Sequence, residues 1–95
     1  MMAGFELGAP QIAIAHVTCD DTPIVLLVAA RSQRREVILR NITGGADCYI
    51  GTSAVATTTG MLLAQGETVT LATTAGVYGV TASGTATIHV LELFQ

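Results

Sequence analysis

Catalysis needs nucleophiles, bases and metal ligands, and this 95-residue chain offers few: His16, His89, Cys19, Cys48, seven carboxylates and four arginines, with no lysine. A hydrolase brings a nucleophile, a base and an orienting acid together. The bases would have to be His16 and His89, and neither lies in a recognisable motif. His89 falls on the outward face of an alternating segment and His16 lies in another, so both are read as ordinary strand residues. Cys19-Asp20-Asp21 sets a thiol beside two acids. Adjacent acids before Thr22-Pro23, however, open turns, and no second cluster supplies further metal ligands. A phosphate-binding loop of the nucleotide type needs a lysine, which excludes kinase and nucleotidase chemistry. The expectation is a protein that is not an enzyme, with no catalytic residue, no cofactor and no bound metal.

Arg34-Arg35, followed by Glu36, is the only concentrated positive charge. Such a pair is expected to cap the start of a strand in solvent. The functional alternative is a salt bridge to an acidic partner surface, which makes Arg34 and Arg35 candidate contact residues. Four arginines against seven carboxylates, a net charge of −3, are too few cations for a phosphate-binding face, so nucleic acid is excluded as a partner. The longest apolar run, Ile24 to Ala30, falls short of the ~18 residues of a membrane helix, and no membrane association is expected. MMAGFELGAPQ has no basic leader before an apolar block and does not read as a secretion signal. Without export, Cys19 and Cys48 are expected to be free, buried, small hydrophobes rather than a bridge. The acceptor pattern Asn41-Ile42-Thr43 then carries no weight.

The side chains that remain must sit on something, and the composition says what. Only 12% of residues are charged, about half the usual share of a soluble domain. Thr, Ala, Val and Gly make up the body. Thr and Ser at outward positions of a β-protein account for part of this. Because exposed strand edges are normally guarded by charge, and by Lys above all, the shortage points further, to surfaces covered by neighbouring subunits in a symmetric assembly.

From Gln11 onward the hydrophobic period is two, with β-branched residues enriched. In Glu67 to Ala72, Val69 and Leu71 oppose Thr68 and Thr70. Near the end, Ala86, Ile88 and Val90 alternate with Thr87, His89 and Leu91. Further strands are expected over 11–18, 24–29, 36–42, 47–51 and 77–82; the block 24–30 could equally be a short buried helix. Turn chemistry separates them: Asp20-Asp21-Thr22-Pro23, Thr43-Gly44-Gly45, Thr59-Gly60, Gln65-Gly66, Ala75-Gly76 and Ser83-Gly84. Ser83-Gly84 reads as a tight hairpin with a positive φ at glycine. The fold expected is all-β: a single small antiparallel β-sandwich, jelly-roll or immunoglobulin-like, over residues 11–95. Residues 1–10 differ in kind, mixing Gly4, Gly8 and Pro10 with Phe5 and Leu7, and are expected to form an extended N-terminal arm. Phe5 and Leu7 are its candidate anchors on a partner.

Arg35 to Asn41, then Tyr49-Ile50-Gly51, then Gly60 to Glu67, then Tyr78 to Ala86 follow one another in a pattern that resembles small β-sandwich structural proteins of tailed bacteriophages and prophages. The likeness covers residues 34–93, about two thirds of the chain, and rests on the order and spacing of the pieces. It implies a non-enzymatic virion component, a decoration or cement protein on the head exterior, made in the bacterial host cytoplasm. The implied partners are the major capsid protein or other virion proteins, together with further copies of itself. Neck, tail and fibre stations are the alternatives within that family. A carbohydrate- or receptor-binding module is the alternative outside it, poorly served by a chain with no Trp and only Phe5, Tyr49, Tyr78 and Phe94 to stack on sugars.

Overall fold

The computed structural model describes residues 11–95; the proposed arm, with Phe5 and Leu7, lies outside them. Among the described residues eight strands form: β1 (Gln11–Cys19), β2 (Val25–Val28), β3 (Arg34–Asn41), β4 (Cys48–Gly51), β5 (Met61–Leu63), β6 (Thr68–Leu71), β7 (Val77–Thr81) and β8 (Ala86–Phe94). Period-two alternation lets each strand bury one face. In β8 the even positions Ala86, Ile88, Val90 and Glu92 are buried while Thr87, His89, Leu91 and Leu93 face outward. The block after Pro23 is a strand and not a helix. Met61–Leu63 is a strand the sequence did not announce, because three residues with Met61 and Leu62 exposed show no readable alternation.

Two four-stranded antiparallel sheets result, ordered β1-β8-β3-β6 and β2-β7-β4-β5. The pairs are nested: β4 with β5, outside them β3 with β6, then β2 with β7, and outermost β1 with β8. That nesting is a long hairpin folded over on itself, the double Greek key of a jelly roll. An immunoglobulin-like order is excluded, since it would not pair the first strand with the last. Among the described residues only the β4–β5 link joins strands hydrogen-bonded to each other; the other links cross from one sheet to the other.

The core between the sheets takes Val37, Leu39, Ile88 and Val90 from the first sheet and Leu27, Ile50, Leu63 and Val77 from the second. Cys19 and Cys48 complete it at 0% exposure. Their sulfurs lie 3.5 Å apart, unbonded, as expected. Gly79 makes room for them: a Cβ there would stand 2.9 Å from Leu27, 3.0 Å from the Cys48 sulfur and 3.2 Å from that of Cys19.

Ser83-Gly84 corrects one expectation and meets another. It links β7 to β8 in the opposite sheet, so it is a crossing turn and not a hairpin. Gly84 does adopt a positive φ, +75°, and its carbonyl accepts the buried Thr81 hydroxyl at 2.6 Å. An added Cβ would meet nothing closer than Ala46 at 4.0 Å, so backbone strain alone sets the cost of substitution. Gly84→Val is expected to lower stability by about 1 kcal/mol or more, read from the denaturant midpoint; an unchanged midpoint would mean that residue 84 relaxes into ordinary β space.

Candidate interaction surface

Strand β3 brings a charge into the sandwich at its first residue. Arg34, expected in solvent, has a side chain of 0% exposure. Its fork is filled: Nε donates to the Thr73 carbonyl at 2.8 Å, Nη1 to the Ala29 carbonyl and to Glu92 Oε2 at 2.8 Å each, and Nη2 to the Ala75 carbonyl. Glu92 reaches it from the inward face of β8. Arg31 closes the site from outside, Nε 3.1 Å from Oε2 and Nη2 3.0 Å from Oε1, with its guanidinium 3.8 Å over the Phe94 ring. Arg34 therefore has no free head group to offer a partner, whereas Arg35 is exposed. Sequence alone could not separate the two arginines: alternation from Val37 and Leu39 would turn Arg35 inward, and an irregularity in the pairing of β3 with β8 between Arg34 and Glu36 turns Arg34 inward instead.

Hydrogen bonds from Arg31, and next those from Arg34, hold the Glu92 carboxyl below the usual carboxylate range, against burial, which raises it. A carboxylate held low stabilises the fold above its unfolded value of ~4.3, and that contribution is lost as pH falls through the lowered folded value. Glu92→Gln is thus expected to flatten the acid limb of the stability curve below about pH 4. Arg34→Ala strands three carbonyls and leaves the buried Glu92 carboxylate with Arg31 alone, and is expected to cost about 3 kcal/mol or more. Chemical denaturation between pH 2 and 7 checks both; parallel acid limbs for wild type and Glu92→Gln would dissociate Glu92 from acid unfolding.

At its far end β3 carries Asn41, fully buried, whose amide donates to the Ala46 carbonyl at 3.0 Å and to the Leu63 carbonyl of the other sheet at 2.9 Å. The paired thiols show the chemistry of an interior, not of a reactive site. The hydrogen bond with Cys48, and then burial, push the Cys19 thiol well up. Neither cysteine is expected to react with a water-soluble disulfide reagent in the native protein at neutral pH, and both should react once it is unfolded. Rapid native labelling would show that the sheets part at that end.

Register, which the sequence did not reveal, brings the two histidines together. His16 of β1 lies opposite His89 of β8, their rings stacked at 3.8 Å with 11° between planes. They sit on the outer face of the first sheet, with no third histidine, cysteine or carboxylate positioned to share a metal among the described residues. A cleft of about 280 Å³ at the Arg34 end is lined by residues such as Ile50, Met61, Leu71 and Val77, with no acidic or basic side chain.

The outer faces are the unusual surfaces. On the second sheet Leu26 pairs with Tyr78, and Leu62 with Tyr49, again without an acidic or basic side chain; Leu26 and Leu62 are 46% and 48% exposed, whereas Val80, next in the row beyond Tyr49, is buried. On the first sheet Ile14, Leu91 and Ile38 form a row, flanked by Ile12 with Leu93. Ile12 and Ile14 are 63% and 65% exposed. Both belong to β1, a nine-residue strand without Asp, Glu, Lys, Arg, proline or bulge that lies at the edge of its sheet among the described residues.

Together these features define a class: a small jelly-roll module with charge-poor outer faces and, among the described residues, an edge strand without acidic or basic side chains. Comparison of the chain with known protein families, with curated proteins and with solved structures finds no match.

Proposed function

We propose that this chain is a non-enzymatic structural protein of a bacteriophage virion, a capsid decoration or cement protein that binds the major capsid protein and further copies of itself on the head exterior. The observation that carries this reading is β1: nine residues without Asp, Glu, Lys or Arg, at the sheet edge among the described residues, with Ile12 and Ile14 well exposed. An edge of that kind on a free protein invites uncontrolled pairing and is normally blunted by charge, proline or a bulge. Its persistence makes sense where a partner strand or surface covers it. A cement protein works by spanning joints between subunits, which asks for apolar and hydrogen-bonding contact area rather than a pocket. The two outer sheet faces supply the first and the β1 edge the second. Jelly rolls recur in viral capsid domains, an analogy at the level of fold that agrees with the likeness seen in residues 34–93. The scarcity of cations favours the outside of a head over its DNA-lined interior.

Quantitative mass spectrometry of gradient-purified phage particles, with this chain measured against the major capsid protein, tests the proposal. Copy numbers comparable to the capsid protein are expected. A handful of copies per particle would place it at the neck, tail or fibre, and absence from particles would end the virion reading.

A further inference from the structure

We infer that the outer face of the first sheet is a two-fold, self-complementary docking surface for a second copy of this chain. This sharpens the self-association part of the function proposed above and does not depend on the virion part. The face is built in rows across the strands. Its centre is the apolar row Ile14, Leu91 and Ile38. One row toward the Asn41 end stand His16, His89 and Arg40; one row the other way stand Ile12, Leu93 and Glu36.

Arg40 and Glu36 lie on the same strand, four residues and so roughly 13 Å apart, with Ile38 midway, too far to pair with each other. Both are exposed, and the salt bridges among the described residues all go to Glu92, so neither has an ionic partner among those residues. Arg40 Nη1 finds only the Thr68 hydroxyl, at 3.2 Å.

A two-fold axis lying against this face, across the strands and through the central row, reverses strand direction while keeping strand order. It sets the β3 strand of one copy over β3 of the other. Each Arg40 then meets the Glu36 of the opposite copy, twice per dimer, while Ile14, Leu91 and Ile38 pack on their own counterparts. The polar ends flank an apolar centre, the layout of a specific interface, and an isologous contact repeats every pairing. An axis along the strands would instead set Arg40 on the Arg40 side and Glu36 on the Glu36 side, leaving like charges facing. Charge thus selects the occupant, the same face of another copy, and its direction.

The test uses the full chain in solution, by sedimentation equilibrium across a wide concentration range. A dimer is expected. Ile14→Glu should render it monomeric, since it sets two carboxylates on the axis row. Arg40→Glu and Glu36→Arg should each weaken it by about tenfold or more, because each places like charges opposite one another. The double variant Arg40→Glu with Glu36→Arg should recover most of the wild-type affinity. All three sites are solvent-facing, and unchanged thermal melting would show that the fold is retained. A wild-type monomer at high concentration, a dimer indifferent to Ile14→Glu, or a double variant no tighter than either single would overturn the inference. So would a dimer lost on removing residues 1–10 while the face variants leave it intact, since the arm would then be the occupant. None of these outcomes bears on whether the chain is present in virions.

Discussion

The sandwich depends on β3 being pinned at both ends by a buried polar side chain. A charge taken out of water costs several kcal/mol unless paired and hydrogen-bonded throughout. Arg34 meets that condition only if the β2–β3 link, the β6–β7 link and β8 all present their oxygens to one guanidinium. Those two links are the places where the chain crosses between sheets at that end. Asn41 does the corresponding work at the other end, joining the β3–β4 link to β5, while its own N–H and carbonyl bond to Glu67 and Gly66 of the β5–β6 turn. Apolar burial holds the sheets face to face but is indifferent to small slides. Two directional polar clamps on one central strand fix the register that burial leaves loose.

How much of this was legible in the sequence follows from what is local. Alternation in 68–71 and 86–91, the strand-breaking glycines and the positive φ at Gly84 are properties of a few adjacent residues, and they read through directly. Met61–Leu63 was too short to show a period. The pairing of β1 with β8, the burial of Arg34 beside the exposed Arg35 and the stacking of His16 on His89 all depend on partners 50 or more positions away. Nothing in Arg34-Arg35 itself distinguishes a clamp from a solvated pair; Glu92, an acid in an otherwise apolar inward series, was the available signal.

The charge shortage seen in the composition acquires a location. The chain spends one carboxylate and two arginines on the clamp around Glu92, and the other charges among the described residues lie in links (Asp20, Asp21, Asp47, Glu67) or on β3 (Arg35, Glu36, Arg40). The broad faces are left to Ile, Leu and Tyr. Patches of this kind on soluble proteins mark surfaces meant to meet something. The polar tally of the surface thus follows from where the fold needs charge as much as from where a partner does not.

Nested pairing also sets an order of events at the ribosome. β1 emerges first, yet its partner β8 is made last, and β2 waits nearly as long for β7. Only β4 and β5 can pair soon after they appear. Because closing long loops before native contacts form is slow, ordering should run outward from that central hairpin. The strand that exposes Ile12 and Ile14 is therefore the one that waits longest for its partner during synthesis, so the apolar side chains of β1 stay unsheltered until the last strand is made.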